Sequence, residues 1–248
     1  MEIPVTIKST KELYGIYHRC ENSKATVIML HGLYGSRVDS HRLCVEFARV
    51  AYDYNISCLR VDLTGSGISQ GNFMDFTFKQ QITDAMNIIK WLKNQDNTNI
   101  IYLLGISDGA ITAYHSGYEN VDINGIIFWS PVFSQNSSNK TKTLRRLYKV
   151  GDNLAWAVSG NWLYKDYYED KTRLIECIDF DSQKTKCFAV YGTKDNAVSK
   201  SLQEISPEYL EKYAIEDGDH VYLSPQWTDQ AIEQTIRWIL DNKRGTYR

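Results

Sequence analysis

The stretch Ile100 to Ala110, I-I-Y-L-L-G-I-S-D-G-A, constrains the fold more than any other part of the chain. Ile100, Ile101, Leu103 and Leu104 form a short apolar, partly β-branched run, the signature of a buried strand. The run leads straight into Gly105-Ile106-Ser107-Asp108-Gly109, the pattern G-x-S-x-G, and then into the helical-looking A-I-T-A-Y-H-S. A serine on such a strand–turn–helix junction sits in strained backbone, its hydroxyl raised above the end of the sheet. The flanking glycines lack a Cβ, so strand and helix can pass close together. The same five-residue pattern also occurs as a plain turn. The strand before it and the helix after it give this copy its chemical meaning.

The rest of the chain repeats the alternation. Ile3 to Ile7 and Leu13 to Tyr17 read as an antiparallel pair across the polar K-S-T-K-E. Ala25 to Leu30 is a continuous apolar run, as expected of a strand covered on both faces, and it stops at His31-Gly32-Leu33-Tyr34-Gly35. Helical spacing follows over Val38 to Tyr52, then a strand over Ile56 to Asp62 and a glycine-rich loop. Thr77 caps a helix running to about Lys93, with Ile82, Ala85, Met86, Ile89 and Leu92 on one face. After the helix that ends near Gly117, Gly125 to Trp129 is the next strand. Near the C-terminus come a strand at Lys186 to Tyr191, a short helix at Ser199 to Ile205 and a strand at Leu210 to Ile215. Ser224-Pro225 opens the closing helix, with Ala231, Ile232, Thr235, Trp238 and Ile239 on its buried side. Uninterrupted alternation of strand and helix predicts the α/β class: right-handed crossovers, a mostly parallel sheet and helices on both faces.

Between Phe133 and Thr185 that rhythm breaks. Residues 134 to 143 are rich in Ser, Asn, Lys and Thr, and Lys140 to Arg146 reads as a solvated helix face. A stretch with Tyr148, Trp156, Trp162, Tyr164, Tyr167 and Tyr168 follows, with poor helical periodicity. The expected organisation is a core over 1–133, a cap insertion over 134–185 and the rest of the core over 186–248. The cap is placed over the carboxyl edge of the sheet, where open α/β folds bind ligands. The alternative is a self-packed excursion with its aromatics turned inward.

Composition narrows the function. The net charge of -2, from 28 basic and 30 acidic residues without a dense basic run, argues against a nucleic-acid partner. Five scattered cysteines, with neither C-x-x-C pairs nor metal-ligand spacing, point to reduced thiols and no metal site. The N-terminal M-E-I-P-V-T-I-K has no apolar leader, and no later run is long enough to insert in a membrane. The expectation is a soluble cytoplasmic protein.

A serine hydroxyl is a poor nucleophile at neutral pH. It needs a base within hydrogen-bond reach, and that base needs a carboxylate to fix its tautomer. Ser107, Asp195 and His220 fall at the ends of successive strands in that order. An oxyanion needs two N–H donors, which are assigned to Asp108, directly after the serine, and to Leu33 in the loop after the third strand.

From about Thr26 to His220 the sequence resembles the α/β-hydrolase superfamily, in particular its capped serine esterases of the feruloyl/cinnamoyl-esterase and monoacylglycerol-lipase-like kind. The resemblance rests on H-G-L-Y-G, D-L-T-G-S-G-I-S, G-I-S-D-G, W-S-P-V, Y-G-T-K-D-N-A-V and G-D-H, in that order. It implies Ser107 as nucleophile, Asp195 as acid, His220 as base, Leu33 and Asp108 as oxyanion donors, and no cofactor. The expected activity is hydrolysis of a small-molecule carboxylic ester through an acyl-enzyme, with a small to medium or aromatic acyl group. Tyr34, Trp156 and Trp162 are candidates for lining its pocket. An acyl thioesterase, an acyltransferase or a serine aminopeptidase would use the same residues. A non-catalytic binding protein would keep the fold without needing the three together.

Other candidates have plainer readings. His31 is expected to hold its own loop, and His18, His41 and His115 to lie at the surface or in packing. Asp62 reads as turn chemistry, Asp219 as loop surface, and Asp179 or Asp181 as alternative acids that follow no clear strand. Asp108 departs from the resemblance, since the residue after the nucleophile is usually uncharged there. Either its carboxylate turns away to the positive end of the following helix, or it faces the pocket and selects an amine or polyhydroxyl substrate.

Overall fold

Eight strands carry the apolar runs, and their burial explains their order. The computed structural model describes residues 1–23, 25–95, 100–133, 147–182 and 185–244. β1 (Glu2–Lys8) and β2 (Glu12–His18) form an antiparallel hairpin, and β2 runs antiparallel to β4 (Ser57–Val61). From there every pairing is parallel, through β3 (Thr26–Leu30), β5 (Ile101–Ile106), β6 (Gly125–Trp129), β10 (Cys187–Gly192) and β11 (Glu211–Ile215). The sheet order is β1-β2-β4-β3-β5-β6-β10-β11. The chain therefore has the mostly parallel sheet that the alternation predicted, in line with the α/β-hydrolase fold that the resemblance implies.

Among the described residues six helices accompany the strands: α1 (Leu43–Asp53), α2 (Phe78–Gln95), α3 (Gly109–Gly117), α4 (Asp166–Glu176), α5 (Asn196–Gln203) and α6 (Pro225–Arg244). All six residues of β5 are buried, and their side chains alternate between two cores. Leu103 joins Ile88, Leu92, Ile111 and Tyr114 under α2 and α3, whereas Tyr102 and Leu104 join Phe47, Trp238 and Ile239 under α1 and α6. Period-two alternation within a fully apolar strand is what a sheet sandwiched between helix layers demands. All five residues assigned to the buried side of α6 are indeed buried.

Two expectations needed revision. The helix placed at Val38 begins only at Leu43, because Asp39, His41 and Arg42 adopt positive φ in a tight turn before it. The aromatic stretch after 146 is not helical until α4. It forms a separate antiparallel sheet of β7 (Leu147–Val150), β8 (Asn153–Val158) and β9 (Asn161–Tyr164). Two-residue turns dictate this. Val150 pairs with Asn153 across Gly151-Asp152, and Val158 pairs with Asn161 across Ser159-Gly160. Ser159 and Gly160 both take positive φ, 48° and 78°, as a hairpin turn of mirror-image type I requires. β9 packs against the short 3-10 turn Phe73–Asp75. The expected helix face at Lys140 to Arg146 lies outside the described residues.

Cys20, Cys44, Cys58 and Cys187 are buried as thiols and Cys177 is exposed. Among the described residues, no helix is long and apolar enough to cross a membrane and no acidic, His or Cys cluster could hold a metal ion.

Candidate active site

The carboxyl ends of β3, β5, β6, β10 and β11 converge on one edge, and the polar residues of interest leave from it. Ser107 directly follows β5 with φ +53°, the left-handed backbone anticipated for a serine pinned between strand and helix. Its N–H donates to Trp129 O at 2.8 Å, so β6 helps hold the turn. Two close approaches explain the glycines around it. A Cβ on Gly109 would stand 2.3 Å from Leu30 O, and one on Gly32 would stand 2.7 Å from Ile106 O and 3.2 Å from Asp108 N. Only glycine lets the His31–Leu33 loop lie against the serine turn, with Gly32 beside the Asp108 N–H.

His220 reaches Ser107 from the loop after β11: its Nε2 lies 3.0 Å from Ser107 Oγ. The other ring nitrogen, Nδ1, is hydrogen-bonded to Asp195 Oδ2. Asp195 is fixed on both sides, because its Oδ1 accepts from Val198 N–H at the N-terminus of α5. The two loops are bonded to each other, Lys194 N–H donating to Gly218 O at 2.9 Å. Beyond His220, Asp219 Oδ1 accepts from Val221 N–H and Leu223 N–H. The buried Tyr222 hydroxyl donates to Val190 O at 2.7 Å and accepts from Ser130 N–H at 3.1 Å. Asp219 is thus a loop organiser, and Tyr222 ties the histidine loop to the ends of β6 and β10. Burial raises the Tyr222 phenol, which stays a neutral donor. Chemically, the serine hydroxyl has a base on one side and that base has a carboxylate behind it. His220 keeps 40% of its side chain exposed against 11% for Asp195, so the base is open to an incoming molecule.

His31 is buried and does not join this set. Its Nε2 accepts from Leu63 N–H at 3.1 Å, which leaves the proton on Nδ1, 3.0 Å from Gly32 O. Burial holds its pKa below the ordinary imidazole value, so it stays neutral and braces the loop that carries Leu33. His41 contacts Val221 O and His115 contacts Leu174 O. His18 accepts from Arg60 Nε, and Asp62 is buried in an ion pair with Arg37. Asp179 bonds Ser182 and the Asp181 backbone. None of these histidines or acids reaches Ser107.

Asp108 matches neither local reading. Its carboxylate is buried and makes no cap bond to α3. Instead Tyr167 OH donates to Oδ2 at 3.0 Å and Lys171 Nζ forms an ion pair with Oδ1, both from α4. These partners were missed because they lie 59 and 63 residues away, with no local pattern to announce them.

Of the aromatics proposed for a pocket, Tyr34 stacks on Phe73 at 5.2 Å. Phe73 stacks on Phe76, and Phe76 on His31, so an aromatic run starts beside the Leu33 loop. Trp156 is buried against Tyr168, and Trp162 is exposed at the edge of β9 against Tyr148. Phe73 and Phe76 were overlooked, although F-M-D-F-T-F shows three aromatics in a short loop. A cavity of about 680 Å³ lined by Met86, Lys93, His115 and Tyr118 sits at the far end of α3 from Ser107.

Residues 21–171 match the family model Hydrolase_4, described as serine aminopeptidase, S33. No curated protein matches the sequence. Among solved structures the chain is similar to Est1E from Butyrivibrio proteoclasticus with ferulic acid bound, at 21% identity and a TM-score of 0.80, covering 97% of this chain and 99% of that one. It is also similar to an esterase of Pyrococcus furiosus, at 20% identity and a TM-score of 0.69, covering 97% and 91%. A dienelactone hydrolase from Anabaena variabilis is 14% identical with a TM-score of 0.67, covering 97% of each chain.

Proposed function

We propose, for a chain that belongs to the Hydrolase_4 (serine aminopeptidase, S33) family, that it is a serine hydrolase cleaving carboxylic esters of small molecules through an acyl-enzyme on Ser107. One observation carries the reading: Ser107 Oγ, on a strained turn, lies 3.0 Å from His220 Nε2 while Asp195 holds the opposite ring nitrogen.

Ser107 Oγ attacks the ester carbonyl as His220 Nε2 takes its proton, and Asp195 steadies the imidazolium. The oxyanion accepts from the N–H groups of Leu33 and Asp108. Collapse of the tetrahedral intermediate expels the alcohol, protonated by His220. Water, deprotonated by the same imidazole, then releases the acid and restores the serine. These steps need no cofactor.

The acyl group is small to medium or aromatic in this reading. Tyr34, stacked on Phe73 beside the Leu33 loop, supports it, as does the seating of β9 on the Phe73–Asp75 turn. In this reading the insertion expected over 134–185 serves as the cap and contributes the buried Trp156 and the exposed Trp162. Ferulic acid in the fold relative Est1E is of the same aromatic class. An aminopeptidase needs an acid to grip the substrate's amine. The carboxylate beside the nucleophile, Asp108, is already taken by Lys171 and Tyr167, which favours the esterase.

The test is a substrate panel: p-nitrophenyl acetate, butyrate and octanoate, methyl ferulate, and aminoacyl p-nitroanilides. Ester turnover highest for short, medium or aromatic acyl groups is expected. Preferential cleavage of the anilides replaces the esterase by an aminopeptidase.

A further inference from the structure

We propose that Lys171 and Tyr167 are positioning residues for this hydrolysis: from α4 they hold and neutralise the Asp108 carboxylate, so the residue whose N–H serves the oxyanion brings no net negative charge to it. The inference rests on the reading of Ser107 as nucleophile given above.

The chemistry creates the need. A tetrahedral intermediate places a negative charge next to the Asp108 N–H, and a bare carboxylate on that same residue would oppose it in a partly buried site. A carboxylate in this position is tolerable if it is paired. Both of its oxygens are. Lys171 Nζ holds Oδ1 and Tyr167 OH holds Oδ2 at 3.0 Å, with Asp108 5%, Lys171 8% and Tyr167 2% exposed. A buried ion pair contributes little net stability compared with apolar residues of the same shape, so stability alone is a weak account of this one. Its location, one residue from the nucleophile, gives it a second consequence.

The seat of the pair is rigid. The Tyr167 ring stacks on Phe78 at 4.8 Å and on Phe76 at 6.4 Å, and Phe76 stacks in turn on His31 of the Leu33 loop. Thr112 Oγ1 of α3 donates to Gln81 Oε1 of α2 on the same side of the sheet. α4 is thereby packed against α2 and α3, with its two polar groups aimed at the serine turn.

The experiment measures p-nitrophenyl acetate hydrolysis per active site, counted by fluorophosphonate titration, for wild type, Lys171→Met, Lys171→Arg, Tyr167→Phe and the Asp108→Asn/Lys171→Met pair. Lys171→Met leaves the carboxylate unneutralised and is expected to lower kcat about tenfold to a hundredfold with KM unchanged. Lys171→Arg retains most of the rate. Removing the charge in the double variant recovers most of the loss. Wild-type kcat in Lys171→Met, or a double variant no faster than the single, overturns the proposal and leaves the pair a purely structural contact. Should Lys171→Met fail to fold, Tyr167→Phe keeps the ring stacks and removes one hydrogen bond. Its kcat is expected to fall several-fold at constant KM, and a wild-type value overturns the proposal. A wild-type protein that takes no label defeats the nucleophile reading and this inference together; a labelled, active wild type with unaffected variants defeats this inference alone.

Discussion

β5 with its following helix and the β7–β9 sheet are built from similar apolar and aromatic residues, yet they hold position by different means. Every residue of β5 is buried between two helix layers, and its neighbours β3 and β6 bond it along its length. In β7 three of four residues are exposed, and in β8 only Ala155 and Trp156 are buried. One element is fixed by its surroundings. The other is fixed by two hairpin turns, cross-strand pairs and a seat on the Phe73–Asp75 turn. Ser107, the proposed nucleophile, directly follows the first kind of element, where a sub-ångström shift would cost rate, and Trp156 and Trp162 sit on the second, where tolerance is greater.

The contrast is sharpest in truncation. Leu104→Ala in β5 opens a cavity in a closed core and is expected to cost about 2–5 kcal/mol. Leu154→Ala in β8, 48% exposed, is expected to cost less than about 0.5 kcal/mol. Chemical denaturation of the two variants checks this, and similar losses would erase the distinction. Gly32→Ala tests the rigid region at a close contact beside the serine turn. Its Cβ would meet Ile106 O at 2.7 Å and push the Leu33 loop from the serine turn. A fall in kcat/KM of about tenfold to a hundredfold is expected, roughly 1.4–2.7 kcal/mol of transition-state stabilisation, with smaller loss of stability.

A smaller effect should appear in the pH dependence of stability. His18 is buried and accepts from Arg60, and burial, with the Arg60 charge beside it, lowers its pKa from 6.5 to about 4. The unfolded chain therefore binds this proton first. Stability is full above pH 6.5 and falls as the pH drops toward about 4. Denaturation midpoints between pH 7 and 4 should show the fall, and His18→Gln should flatten it.

How much could be read in the sequence follows the same divide. β6 was expected at Gly125 to Trp129 and lies there, because a strand covered on both faces writes a continuous apolar run. The buried face of α6 was legible from its period, and Ser107, Asp195 and His220 from their places after successive strands. β7 to β9 were not, because short half-exposed strands leave too few apolar positions to show period two. Gly151-Asp152 and Ser159-Gly160 were the missing signals, two-residue turns that outweigh the weak helical spacing around them. Asp108 was misjudged for another reason. Both readings looked along the helix or into the pocket, and the partner that decides its orientation, Lys171, is brought to it only by tertiary packing.

The central claim is that the fold activates Ser107, and it is tested most directly by intact-mass spectrometry after treatment with a fluorophosphonate, wild type beside Ser107→Ala. One covalent adduct on the wild type, mapped to the peptide containing Ser107 and absent from a folded Ser107→Ala, is the predicted result. A folded wild type that takes no adduct, or an adduct that persists in Ser107→Ala, would contradict it.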